Sequence, residues 1–471
     1  MEKENKMRNG DKLKEECGVF GAYSPKDAVQ DEIYFGLQAL QHRGQESSGI
    51  AVLQDGKVNC IKGMGLVTNV FTEENLESLK SDIGIGHVRY STTGSSDLHN
   101  AQPLCMNFRN NYIALAHNGN LINAGELKSE LKNGETVFRG TSDSEVILYL
   151  IAKNYERGLV EAIKETMKII KGSYSLVLLM DNKLIGVRDL NGIRPLCLGK
   201  KEDTWYLASE SCALDVIEAE LIRDVEPGEI VVIDKKGFKT VKIESNVAKT
   251  TCVFEYIYFA RPDSVIDGKS VYFSRLGMGK RLAIEAPVDA DLVVPVPDSG
   301  LPAATGYSIQ TGVPIGEGLI KSKYVGRTFI YPEQKEREAG VKVKLNVLRG
   351  LVKNKRIVLI DDSIVRGTTM KRIVNLLRDG GAKEVHVRIS SPPVKYPCYF
   401  GIDIPEEKEL VAAKMSIEEV RKLIGANSLS FLSIEGLKEG IGLNSVCAGC
   451  FEAVYPITIP KKSSKYLIEK K

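Results

Sequence analysis

Cys252, Cys398 and the close pair Cys447 and Cys450 could hold a metal centre, because four thiolates that include a C-x-x-C chelate suit either zinc or an iron–sulfur cluster. The spacing does not choose between the two. Cysteines this far apart converge only if the second half of the chain folds around what they share. A second chemistry is carried by IVLIDDSIVRGTT, residues 357–369, in which an apolar run ends in Asp361 and Asp362 and passes through Ser363, Arg366, Gly367, Thr368 and Thr369 into helical text. Loop amides, hydroxyls and a helix N-terminus make a phosphate receptor, and neighbouring carboxylates accept hydrogen bonds from ribose hydroxyls. An ordinary strand-to-helix turn with an Asp cap would account for one acid and one threonine, but not for paired acids with a Gly-Thr-Thr exit. VVPVPDSG, residues 293–300, ends in Asp298, Ser299 and Gly300, where a glycine lets the backbone approach a pyrophosphate closely. Cys17 stands apart at the end of a charged tail; without context it reads as a buried core cysteine.

These groups need scaffolds to position them. From Cys17 to about residue 245, short apolar or β-branched runs punctuated by glycine (CGVFGAY, GIAVL, SYSLVLLM, KLIGVRD, EIVVID) predict strands. Residues 27–41 and 143–170 place apolar side chains at helical spacing, so this part mixes sheets with packed helices. Beyond residue 265 the runs DLVVPVP, KRIVLIDD and KEVHVRIS, with the helical TTMKRIVNLLRDGG among them, predict a βαβ arrangement and a parallel sheet. The polar stretch KIESNVAKTT, residues 242–251, is the expected seam between domains at 17–245 and 246–471. Cys60, Cys105, Cys197 and Cys212 lie in strand-like or apolar text and are expected in the core.

Composition excludes several classes. A chain of 471 residues with 43% hydrophobic content can bury two or three cores. Its net charge of +3 gives no broad basic surface, so no nucleic-acid partner is expected, and small diffusible substrates are the better default. Nine cysteines scattered over this length do not form the dense framework of a small secreted domain, and a reducing cytoplasm fits them. The first sixteen residues carry ten charges and no apolar stretch, so they are not expected to act as a secretory h-region, and apolar runs elsewhere are too short to span a membrane.

CGVFGAYSP, followed in order by LQALQHRGQESSGIAV, GHVRYSTTG, LAHNGNL, TSDSEV and RDLNGIRPL, resembles the glutaminase domain of the N-terminal-nucleophile amidotransferases over residues 17–240. The resemblance implies a four-layer αββα sandwich of α+β class, with Cys17 as nucleophile and the Asn118 side chain and Gly119 N–H as oxyanion hole. It also implies that Arg89 holds the α-carboxylate of glutamine and Asp143 its α-amine, that Arg43 shapes the same site, and that residues 1–16 are a propeptide. IDDSIVRGTT similarly resembles the type I phosphoribosyltransferases, an α/β fold that binds phosphoribosyl pyrophosphate. This second resemblance implies Ser299, Asp361 and Asp362 around one Mg²⁺, and a closing loop within residues 321–344 in which Lys323, Tyr324 and Arg327 contact pyrophosphate. The two halves in this order resemble the amidophosphoribosyltransferase family, which implies a homotetramer, feedback inhibition by purine nucleotides and a [4Fe–4S] cluster on the four cysteines. A glutamine-dependent sugar-phosphate aminotransferase and a phosphoribosyl-pyrophosphate-binding regulatory protein are the alternatives.

Overall fold

Along the strand Gly18–Tyr23, Val19 and Tyr23 turn to one apolar layer while Phe20 and Ala22 turn to another. This is the two-residue alternation of an extended chain buried on both faces. The computed structural model describes residues 17–90, 97–109, 111–132, 136–322, 345–404 and 406–460. The tail 1–16 and the expected pyrophosphate contacts Lys323, Tyr324 and Arg327 lie outside the described residues.

Two antiparallel sheets stack in the first half. One runs, in spatial order, Glu220–Asp224, Cys197–Lys201, Thr204–Ala208, Gly18–Tyr23, Ile83–Arg89, Ser47–Gln54 and Lys57–Met64. The other runs Gly237–Lys242, Glu229–Asp234, Lys183–Arg188, Gly172–Met180, Asn111–Leu121 and Leu104–Phe108. Val19, Ile85, Ala114, Val177 and Leu207 fill the layer between them. Helix Gln30–Ala39 covers the first sheet through Ile33 and Leu37, and helices Ser144–Asn154 and Leu159–Ile169 cover the second, which completes an αββα sandwich. The helical spacing over 143–170 is therefore split in two. The chain leaves the first helix through the turn Tyr155–Arg157 and restarts after Gly158, whose φ of +91° lies in the left-handed region that suits glycine.

The second half forms a parallel sheet in the order Leu292–Pro295, Arg356–Asp361, Glu384–Ile389 and Ser428–Phe431. Val293, Val358 and Ile360 face helices Val271–Glu285 and Leu301–Thr311, while Val294, Ile357 and Leu359 face helices Thr368–Asp379 and Ile417–Ile424. Both faces are covered, as parallel strands require. The fourth strand, SLSF, escaped the sequence reading because four residues, half of them serine, give no apolar run.

At the seam, Thr250 N and Cys252 N donate to Asn191 O and Ile193 O of the first half at 2.7 and 3.2 Å. Thr251–Cys252 also pairs in parallel with Val446–Cys447, and a π-helical turn, Glu255–Phe259, follows directly. Of the four cysteines expected in the core, Cys197 and Cys212 are buried, but Cys60 is half-buried and Cys105 is exposed. Their strands are the outermost members of the two sheets, so no further strand covers them. Among the described residues no helix is long and apolar enough to cross a membrane.

Candidate active sites

Pairing of Gly18–Tyr23 with Ile83–Arg89 sets Gly18 opposite Val88, which brings Cys17 and Arg89 to the same sheet end. The Cys17 thiol donates to the Tyr90 carbonyl at 3.4 Å. Burial pushes this thiol up to about 11, against the lowering pull of that bond and of Arg89, so at neutral pH it is protonated and needs a base before it can attack. Asp143 acts on the same sulfur electrostatically, and its Oδ2 accepts from Leu121 N at 2.9 Å, which ties it to the strand Asn111–Leu121. That strand carries Asn118, only 1% exposed, whose side-chain Nδ2 has no hydrogen-bond partner in the protein. A buried donor left without a partner costs roughly 1–3 kcal/mol, which a ligand oxygen would relieve. Gly119 beside it has φ +147° and no space for a side chain: a Cβ would lie 2.1 Å from the Ser173 carbonyl oxygen.

Arg43 reaches Cys17 from behind. Its Nε donates to the Cys17 carbonyl at 3.1 Å, Nη1 bonds Glu210, and Nη1 and Nη2 meet Glu255 at 3.0 and 2.8 Å. Glu255 also meets Arg194 Nη1 at 3.4 Å, so one carboxylate on the π-helical turn stands between two buried guanidiniums of the first half. Burial works against the charge on Glu210, but His42 and Arg43 outweigh it and hold that carboxyl well below its usual range. Arg194 Nε donates in addition to the Phe400 carbonyl at 2.9 Å, Ser173 Oγ to the same carbonyl at 2.8 Å, and Asn120 Nδ2 to Tyr399 O at 2.8 Å. The segment after Cys398 thus buttresses the back of the Asn118–Gly119 strand. Glu210, Glu255, Arg194 and the buried imidazoles of His87 and His117 were not singled out from sequence, although HVRY and AHNGN contain the two histidines.

In the second half, Asp361 and Asp362 close the strand Arg356–Asp361 and are each 4% exposed. Asp362 N donates to Asp361 Oδ1 at 2.9 Å and Ser363 Oγ to Asp362 Oδ1 at 2.5 Å. Asp362 Oδ2 and Ser299 Oγ are buried without a hydrogen-bond partner in the protein. Val296 N donates to Ile360 O at 2.8 Å, and a Cβ on Gly300 would come within 2.5 Å of that oxygen, so the 298–300 loop is pressed against the acidic strand end. Gly367, at φ +83°, turns the chain into helix Thr368–Asp379, with Thr368 and Thr369 in its first turn. Asp298 pairs with Lys321, and Arg366 Nη2 meets Glu409 at 2.7 Å, both toward the surface. Arg275 adds a cation that sequence reasoning missed. It donates to the carbonyls of Tyr256 and Ala260 at 2.7 and 2.8 Å, and burial lowers it to about 10 against the pull of Asp362.

Cys252, Cys398, Cys447 and Cys450 are all buried and none is in a disulfide, and parallel pairing sets Cys252 opposite Cys447. Cys450 senses the charges of the other three, and burial pushes it upward and Cys447 to about 12. Four buried soft donors near enough to sense one another's charge have the donor chemistry of a thiolate-bound centre. Among the described residues, no three His, Cys, Asp or Glu side chains are drawn together closely enough to grip a single ion by themselves.

Fold and centres together define a glutamine amidotransferase joined to a phosphoribosyltransferase. The glutamine amidotransferase domain family matches residues 87–216 and the phosphoribosyl transferase domain family residues 281–390. The chain is 49% identical to the amidophosphoribosyltransferase of Methanothermobacter thermautotrophicus over 466 residues, 98% of each chain, and 48% identical to that of Bacillus subtilis over 95% of each. Its fold overlays the B. subtilis glutamine phosphoribosylpyrophosphate amidotransferase complexed with ADP and GMP at a TM-score of 0.91, with 46% identity, covering 96% of this chain and 100% of that one. The chain belongs to the amidophosphoribosyltransferase family, and its activity is glutamine-dependent amidophosphoribosyl transfer in purine biosynthesis.

Proposed function

We propose that the reaction is divided between Cys17 and the Asp361–Thr369 loop, in domains spanning residues 17–245 and 246–471. Removal of residues 1–16 creates an α-amine on Cys17 with a pKa of roughly 7.7–8.0, suited to take the proton of a thiol that burial keeps protonated. The sulfur then attacks the side-chain amide carbon of glutamine. Asn118 Nδ2 and the Gly119 N–H receive the oxyanion, ammonia leaves with the transferred proton, and water clears the glutamyl thioester to glutamate. Arg89 binds the α-carboxylate and Asp143 the α-amine. Arg43 acts through the Cys17 carbonyl rather than on glutamine itself.

Ammonia attacks the anomeric carbon of phosphoribosyl pyrophosphate, giving 5-phosphoribosylamine as pyrophosphate departs. Asp361 and Asp362 accept from the ribose hydroxyls. Ser363, Arg366, Gly367, Thr368 and Thr369 cradle the 5-phosphate at a helix N-terminus, and Asp298, Ser299 and Gly300, with Lys323, Tyr324 and Arg327, meet the pyrophosphate. One Mg²⁺ per subunit, held by Ser299, Asp361 and Asp362 together with substrate oxygens, would supply charge neutralisation at the leaving group. The four-cysteine centre is assigned a [4Fe–4S] cluster of structural role. A cytoplasmic homotetramer inhibited by purine nucleotides completes the reading, supported by a relative solved with ADP and GMP.

The observation that carries this is the pattern of buried polar atoms without protein partners, Asn118 Nδ2 in one half and Ser299 Oγ with Asp362 Oδ2 in the other. Pyrophosphate release tests it. Cys17→Ala should abolish release driven by glutamine and preserve release driven by ammonium; loss of both would make Cys17 structural.

A further inference from the structure

Cys60 and Cys105 belong to neither active site nor the four-cysteine centre. They sit on Lys57–Met64 and Leu104–Phe108, the outermost strands of the two stacked sheets. Alternation along the strands turns them toward each other. Val58 and Cys60 pack on the layer between the sheets, while Leu104 and Met106, which flank Cys105, pack on the opposite, helical layer. Both sulfurs lie 3.9 Å from the same Pro103 carbonyl oxygen, and each shifts the titration of the other. Lys62, on the same face as Cys60, donates to Ala101 O at 2.6 Å and Pro103 O at 3.5 Å, which anchors its ammonium beside the pair. Solvent reaches the site, since Cys105 is exposed and Cys60 half-buried.

We propose that Cys60 and Cys105 form a redox-active dithiol, which a small disulfide such as glutathione disulfide oxidises to a reversible staple between the open edges of the two sheets. Cys60 thiolate attacks one sulfur of the oxidant, whose S–S bond breaks and whose other half leaves as a thiolate that takes up a proton. Cys105, giving its proton to the second leaving thiolate, then attacks the Cys60 sulfur and releases that half. The protein loses two electrons and two protons, and one oxidant disulfide becomes two thiols. Cys60 suits the attacking role, because the neighbouring Cys105 thiol, and less strongly the charge of Lys62, lower it against the opposing effect of burial, whereas Cys105 is raised. Two thiols that share one carbonyl oxygen on facing edge strands are placed to close a bond of about 2.05 Å by side-chain rotation. In a reducing compartment such a bond is transient, so it would register oxidant rather than act as permanent reinforcement.

The test uses the full chain, reduced and then exposed to glutathione disulfide, with free thiols alkylated before digestion without reductant. Mass spectrometry should find the Cys60 and Cys105 peptides joined and lighter by two hydrogens than the reduced pair, and dithiothreitol should separate them. Cys105→Ser and Cys60→Ser should each hold glutathione as a lasting mixed disulfide on the remaining cysteine, because the thiol that would displace it is gone. Both reduced variants should keep glutamine-dependent pyrophosphate release, which shows them folded. Independent alkylation of the two cysteines after oxidation, or glutathione left on Cys60 or Cys105 of the unsubstituted chain in place of the joined peptides, would overturn the assignment.

Discussion

Asn118 enters its site with an unsatisfied amide, so its loss should be felt where charge develops rather than where substrate docks. Asn118→Ala is expected to lower the glutamine-dependent kcat by about 10²–10³-fold, with ammonia-dependent turnover unchanged. Equal loss of both activities, measured by pyrophosphate release, would contradict an oxyanion role. Such residues were legible because chemistry imposes local motifs: Asn118 and Gly119 are adjacent, and Asp361 to Thr369 is one loop. The partners behind them were not. Arg43 meets Glu210 across 167 residues and Glu255 across 212, and neither acid has a neighbour in sequence that betrays its role.

At the scale of elements, the π-helical turn Glu255–Phe259 presents Glu255 to Arg43 and Arg194 while its Tyr256 carbonyl receives Arg275. Such turns are rare and concentrate at functional sites. Glu255→Gln removes the charge between two buried guanidiniums and should cost about 3–5 kcal/mol, read as a lower unfolding midpoint in urea. A shift within the scatter of surface substitutions would mean that the cations find other compensation. The segment after Cys398 makes a different prediction. Gly401 has φ +102°, and a Cβ there would stand 3.2 Å from Arg194 Nη2 and 3.3 Å from the Gly119 carbonyl carbon. Gly401→Ala, although it lies in the second half, should impair glutamine-driven release more than ammonia-driven release. The reverse ranking would locate its effect elsewhere. Sequence periodicity found the central strands and the helix Thr368–Asp379, because their apolar runs are long, but not this turn, whose aromatic text EYIYF carries no helical period.

For the whole molecule, buried histidines set the acid limit. Burial lowers His87 to about 3 and lowers His117 as well, whereas an unfolded histidine titrates near 6.5. Below pH 6.5 the unfolded chain therefore binds protons that the folded chain refuses, and stability falls by up to about 1.4 kcal/mol per pH unit per ring. Carboxylates held low, such as Glu210, add to the loss only once pH drops below about 4.5, where their unfolded counterparts begin to protonate. Urea midpoints between pH 6.5 and 5 should decline, and His87→Gln should flatten that decline; an unchanged slope would shift the cause to other groups. The same burial bears on modularity. Cutting the polar seam near residue 245 would strip Arg43 and Arg194 of Glu255, and Asn120 and Ser173 of their carbonyl acceptors on Tyr399 and Phe400. What reads in the sequence as two separable parts is thus a poor candidate for dissection, and an isolated N-terminal half should be a crippled glutaminase rather than an uncoupled one.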